Sequence, residues 1–357
     1  MPWIRACLTL LLLGLAPIGH AATASDGSLL DSFLQDVRRQ VLPNGLTLIT
    51  HESPGSGVVA INTWVKAGYF HEPDEVAGMA HLFEHMFFKG SKRFPGAEQI
   101  SREIAAVGGQ TNAGTIYDST NYYIVVPKEG FRRAVEIQAD AVMNPLFDPE
   151  EIRKESEVVI EESNRKRDNA PAMALEGMFA TQFTQHRMRR WRIGSDEVLR
   201  NIDRDDLLAF FESLYRPENI VLSIAGDVSH EEAAAIARET FGAMPRGTLS
   251  KQRGSAEPRQ EEFRYGGATA DTRQGYSVLG WPTVGVGHPD EVALDVLAGI
   301  LGQGRSSRLF VNVVGPGAAA TSSSAHYTFD DVGVLFVQSS FDEANRAEAD
   351  RRAIAEI

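Results

Sequence analysis

His81-Leu82-Phe83-Glu84-His85 puts two imidazoles four residues apart with a carboxylate between them. On a helix, positions i and i+4 share a face, so both rings can converge on a single ion. Glu84 stands beside that pair without being a third ligand, the position of a general base. Zinc sites that hydrolyse amides keep three protein ligands and a water, and need a nearby carboxylate to take that water's proton. The order H-x-x-E-H reverses the H-E-x-x-H order of other zinc hydrolases. The same pentad could also arise by accident of spacing on a partly buried helix, so a third ligand is needed to separate the two.

Asp148-Pro149-Glu150-Glu151 reads as a helix start. Asp148 is the cap, Pro149 takes the first helical position, and Glu151 follows the cap by three. The helix should run to about Arg167. Along it Glu155 and Glu162 lie seven residues apart, two turns, and share a face with Val158 and Val159 between them. Glu161 points away from that stripe. A simple exposed helix would put its acids opposite its apolar residues, so acids beside valines suggest a working face. Glu162 is the expected third ligand and Glu155 an acid that orients the site from behind. The bland alternative is an acidic run, Glu155, Glu157, Glu161 and Glu162, on a solvated helix.

From about Val41 to Pro245 the chain resembles the pitrilysin and insulinase metallopeptidases, the inverzincins, including the mitochondrial processing peptidase and its bacterial relatives. The family pattern is H-x-x-E-H, then 76 residues, then Glu, and here His85 and Glu162 enclose 76 residues. Leu42-Pro43-Asn44-Gly45-Leu46, Gly78-Met79-Ala80, Phe88-Lys89-Gly90 and Ala225-Gly226-Asp227 agree with its surroundings. The resemblance implies one zinc ion per chain on His81, His85 and Glu162, with Glu84 as base and Glu155 as a second catalytic acid. It also implies a zinc endopeptidase acting on unfolded peptides, which add as a strand to an exposed sheet edge. Asn112 and Ala113 match that edge motif, although Asn112 read alone is simply a polar turn residue. Relatives carry an Arg and a Tyr after a Ser-Arg-Leu-Phe sequence that reach the substrate from the opposite half. Here Ser307-Arg308-Leu309-Phe310 is present, but the matching positions are Val314 and Thr321. A second half or partner subunit is therefore expected to supply that pair. The competing expectation is a non-catalytic, substrate-holding subunit, which would normally have lost a ligand or the base. Zinc storage would call for more His and Cys around the site, and the remaining histidines of the expected mature chain, His51, His71, His186, His230, His288 and His326, show no ligand spacing.

The elements that must position these residues fit an α+β fold, a mostly antiparallel sheet covered by helices. Strand-like runs at 47–51, 58–65, 121–126 and 220–225 alternate with helical patterns near 78–88, 97–107, 131–143, 149–167, 204–214 and 229–241. Pro73-Asp74-Glu75-Val76-Ala77 recurs as Pro289-Asp290-Glu291-Val292-Ala293, an offset of 216 residues, and each copy follows a strand-like run. The fold is therefore expected to be duplicated. On that offset His81, Glu84 and His85 fall on Leu297, Ile300 and Leu301, as if the second site had become core. The expected organisation is a secretory signal at 1–22, a catalytic domain at 38–250, a linker at 251–272 rich in Gly, Ala and charge, and a second, inactive copy at 273–357. That copy is expected to be incomplete by roughly a hundred residues, as in the first half of something longer.

Arg5, the apolar run Leu8 to Leu15 and Gly19-His20-Ala21 are the parts of that signal, too short to span a bilayer. A periplasmic or secreted bacterial protein is expected. Cys7 is the single cysteine of the 357 residues, so the mature chain is expected to be held together without disulfides. A formal charge of −13 argues against nucleic acid and anionic membrane as partners.

Overall fold

The computed structural model describes residues 36–249 and 254–357. The secretory signal at 1–22 and the start of the expected linker lie outside the described residues. The first part of the chain builds β1 (Val37–Val41), β2 (Thr47–Glu52), β3 (Val58–Val65), α1 (Met79–Met86), α2 (Gln99–Ala106), β4 (Gln110–Thr115), β5 (Thr120–Pro127) and α3 (Phe131–Met143). It continues through α4 (Pro149–Arg167), α5 (Ala170–Gln182), α6 (Asp196–Asn201), α7 (Arg204–Leu214), β6 (Ile220–Gly226) and α8 (His230–Thr240). The strands form one six-stranded sheet in the order β1-β2-β6-β3-β5-β4. Period-two alternation sets its buried face: Val59, Ile61, Thr63 and Val65 of β3 are all fully buried, while the residues between them are not. β3 pairs antiparallel with β5 on one side and β6 on the other, and β6 pairs parallel with β2. β4 closes the sheet as an edge strand.

A second sheet follows, made of β7 (Gly275–Thr283), β8 (Thr321–Thr328) and β9 (Gly333–Phe341), with α9 (Glu291–Gly302) and α10 (Arg346–Ala355). Its order β7-β9-β8 repeats the β3-β5-β4 order of the first sheet, and in both a helix follows the leading strand. The fold is mixed α/β with antiparallel pairing dominant and helices over the sheets. The two sheets share a core: Phe329, Val332, Val334 and Phe336 belong to the same buried cluster as Leu48, Ile61 and Leu222. α5 lies close on β7, where a Cβ on Gly280 would stand 2.4 Å from the Met178 sulfur.

Two expectations need correcting. Of the second-copy residues only Leu301 is core; Leu297 and Ile300 are 39% and 56% exposed, because α9 packs one face on the second sheet and no described element covers the other. On α4, Val159 is buried but Val158 is 40% exposed, since the apolar face of the helix is centred on Ile152, Val159 and Ile160.

The expected linker has no regular structure from 254 to 274, yet it is anchored. The Glu257 carboxylate accepts hydrogen bonds from the backbone N–H groups of Thr184, Gln185 and His186, and Arg264 donates to the Gln182 carbonyl.

Candidate metal centre

α1 is an eight-residue helix with two unlike faces. Leu82, Phe83 and Met86 are buried, Phe83 against Phe147 and Tyr215 with ring centroids 5.1 and 4.3 Å apart. The opposite face carries His81 and His85, whose ring centroids are 4.8 Å apart. α4 packs across α1, and Asp148 caps its start by accepting from the Glu150 and Glu151 amides, worth about 1 kcal/mol. That crossing brings Glu162 Oε2 to 3.7 Å from His81 Nε2 and 3.7 Å from His85 Nε2. One ligand atom from each of the three residues lies within 4.8 Å of the others, the single His/Cys/Asp/Glu group of this kind among the described residues.

A contact of 3.7 Å is too long for a hydrogen bond. It is close to the edge of a tetrahedron whose metal–ligand bonds are about 2.1 Å. The donor set therefore fits zinc, with two imidazole nitrogens and one carboxylate oxygen. Behind the pair the rings differ. His85 Nδ1 is 3.0 Å from Glu155 Oε2, and Lys89 Nζ is 2.8 Å from Glu155 Oε1. When the ring gives up its extra proton to bind a metal, these bonds favour keeping the remaining proton on Nδ1, which leaves Nε2 as the ligand atom facing Glu162. His81 Nδ1 is buried with no hydrogen-bond partner among the described residues.

Burial, then the neighbouring His85, lower the His81 pKa to about 4. For His85 burial works in the same direction, but the Glu155 and Glu162 carboxylates outweigh it and raise the ring to about 9. The two imidazoles thus do not ionise together. Glu162 is held below the usual carboxylate range by the facing His85 ring. Glu155 is also held low, because its bonds to His85 and Lys89 overcome burial. Glu84 goes the other way: it is 8% exposed and burial raises its pKa, although the Thr115 hydroxyl donates to its Oε2 at 2.6 Å.

All seven residues singled out from sequence can now be located. His81, His85 and Glu162 converge, Glu155 backs His85, and Glu84 lies on α1 beside them. Asn112 and Ala113 sit in the edge strand β4, opposite Tyr123 and Tyr122 of β5, with Asn112 exposed. Three residues further along β4 is Thr115, so the edge leads to Glu84 within about 10 Å of chain. Sequence reasoning did not single out Thr115, Lys89 or the buried Glu72, whose side chain caps α1. Lys89, four residues past His85, carried a readable signal; the other two are brought in only by tertiary contacts.

Comparison with known proteins gives the family and the fold. The sequence model for insulinase (peptidase family M16) matches residues 47–195, and that for the peptidase M16 inactive domain matches residues 201–357. A zinc protease of Mycobacterium leprae, otherwise uncharacterized, is 37% identical over 309 residues, covering 84% of this chain and 68% of its own. The chain belongs to the M16 family of peptidases. Among solved structures, a protease from Helicobacter pylori superimposes with a TM-score of 0.82 at 24% identity, covering 88% of this chain and 78% of that one. The first half of the periplasmic protease PqqL from Escherichia coli gives 0.70 at 21% identity, covering 90% and 72%. These two likenesses concern the fold.

Proposed function

We propose that this chain is a zinc-dependent endopeptidase that hydrolyses unfolded peptides in a chamber completed by another half or a partner subunit. The observation that carries the reading is the convergence of His81, His85 and Glu162 beside a buried Glu84. A zinc ion on those three ligands would supply Lewis acidity and lower the pKa of a bound water. Glu84 acts as the base: its raised pKa suits it to take a proton and hand it to the leaving amine. Thr115 holds one oxygen of that carboxylate, leaving the other for the proton. Glu155, steadied by Lys89, orients His85. The free edge of β4, with Asn112 and Ala113, takes the peptide as an added strand, which selects extended substrates. The single ligand cluster among the described residues supports a count of one zinc per chain.

Val314 and Thr321 stand where an Arg and a Tyr are expected, and residues 201–357 match an inactive domain, which supports dependence on another half. The same two observations favour, as a second reading, a subunit that holds substrate without cutting it. Against it stands the complete set of base and ligands. The apolar segment after Arg5 supports export to the periplasm or beyond.

The test is cleavage of a quenched fluorescent, unstructured peptide by the purified chain and by Glu84→Gln, with zinc content measured in both. Cleavage that falls by a factor on the order of 10² to 10⁴ in the variant at unchanged zinc supports the endopeptidase. Equal zinc with no cleavage in either, even when other halves are added, supports the holding subunit.

A further inference from the structure

α1 carries His81, Glu84 and His85, yet its N-cap residue offers no side-chain hydrogen bond of its own. Its N-cap is Gly78, which has no side chain to accept from the first-turn amides, and eight residues are too few to hold helical shape unaided. The missing cap comes from elsewhere. Glu72, six residues upstream and 0% exposed, accepts the Gly78 amide on Oε1 at 3.0 Å and the Ala80 amide on Oε2 at 2.9 Å. Both carboxylate oxygens are thus spent on the first turn of the metal helix, one residue before His81.

Glu72 is itself held. Its carbonyl accepts from Arg190 Nη1 at 3.2 Å, and the same guanidinium bonds the Tyr69 carbonyl and Asp74. The strand of chain from Tyr69 to Asp74 is therefore fixed on both sides of Glu72. Ile193, three residues past Arg190, packs its carbonyl against Gly78, where a Cβ would come within 2.1 Å. Gly78 sits at φ +98°, so the helix entry is locked by a backbone that side chains rarely adopt.

We propose that Glu72 is a positioning residue of the metal centre: its buried carboxylate, clamped on the Gly78 and Ala80 amides, fixes where α1 begins and thereby the spacing of His81 and His85 towards Glu162. The inference rests on the reading that those three residues hold the metal. A negative charge suits the site, because a helix N-terminus carries partial positive charge. The charged groups that face it are Arg190 and Arg187, with Tyr69 alongside. Burial raises the Glu72 carboxyl to about 7, against the pull of its amide and arginine partners, so the clamp is fully charged only above neutrality.

Glu72→Gln in the full chain is the discriminating variant. It keeps the shape, retains one acceptor, and sets an amide NH₂ against the other N–H. Two readouts are taken on wild type and variant: hydrogen exchange of the α1 amides without metal, and zinc affinity by chelator competition between pH 6 and 8.5. The variant should fold with unchanged far-ultraviolet circular dichroism and exchange its α1 amides at least tenfold faster. It should also hold zinc on the order of 10- to 100-fold more weakly. Wild-type zinc affinity should fall more steeply than the variant's as pH drops through 7. Unchanged exchange together with unchanged zinc affinity and pH profile would overturn the proposal. A wild type that takes up no zinc defeats the metal reading instead, while the exchange measurement still decides whether Glu72 clamps α1.

Discussion

Zinc affinity should depend on pH chiefly through His85. Its pKa is raised from 6.5 to about 9 by Glu155 and Glu162, so the metal-free chain carries a proton there at neutral pH. That pairing stabilises the metal-free fold fully below pH 6.5 and fades as pH rises through about 9. Metal binding runs in the opposite sense, since the ring must give up its proton. Calorimetry in buffers of different ionisation enthalpy should therefore show about one proton released per zinc at pH 7, with affinity climbing towards pH 9. Lys89→Ala removes the cation that steadies Glu155. It should weaken zinc binding roughly 10-fold, the low end of such outer-partner effects, and leave the fold intact. At this scale the sequence disclosed the ligands and the base, because their roles depend on spacing along two helices. It did not disclose Thr115 or Glu72, whose roles depend on where β4 and the 69–74 segment come to rest.

Among the elements, α1 and α4 were legible because each has a strong local signal, the H-x-x-E-H face in one and the Asp148-Pro149 start in the other. The strands β2, β3, β5 and β6 alternate cleanly and were read almost to the residue. β4 and α5 were not. Gln110-Thr-Asn-Ala-Gly-Thr115 has no alternation and becomes a strand only by pairing with β5. Ala170–Gln182 has no single apolar stripe, because it is covered from two directions, by the first core and by β7. The entry to α1 yields a further expectation. Gly78→Ala would force a Cβ to 2.1 Å from the Ile193 carbonyl at a positive φ. It should cost at least about 1–3 kcal/mol in chemical denaturation, and lower zinc affinity with it.

Across the whole molecule, the two sheets are expected to unfold as one. Phe329, in the turn between β8 and β9, lies 4.8 Å from Tyr117, in the turn between β4 and β5, and 5.8 Å from Phe70, in the turn after β3, ring centroid to centroid. Phe329→Ala should therefore cost about 3–5 kcal/mol in a single transition, where two independent units would give two. Glu257, pulled down to about 2 against burial by three backbone amides, ties the connecting segment to the end of α5. A depressed carboxylate stabilises above its unfolded value of 4.5 and loses that contribution as pH falls towards 2. Glu257→Gln should flatten the acid limb of a stability profile in that window.

The parallel pairing of β2 with β6 also dictates an order of events. β2 and β3 are neighbours in the chain but are kept apart by a strand that arrives only at Ile220. Whenever the chain folds, β2 and β3 keep raw facing edges until that distant strand docks between them. Until then a β2–β3 hairpin is the easy error, and it would have to be undone. The chain should accordingly fold slowly and gain from a chaperone that keeps early strands apart.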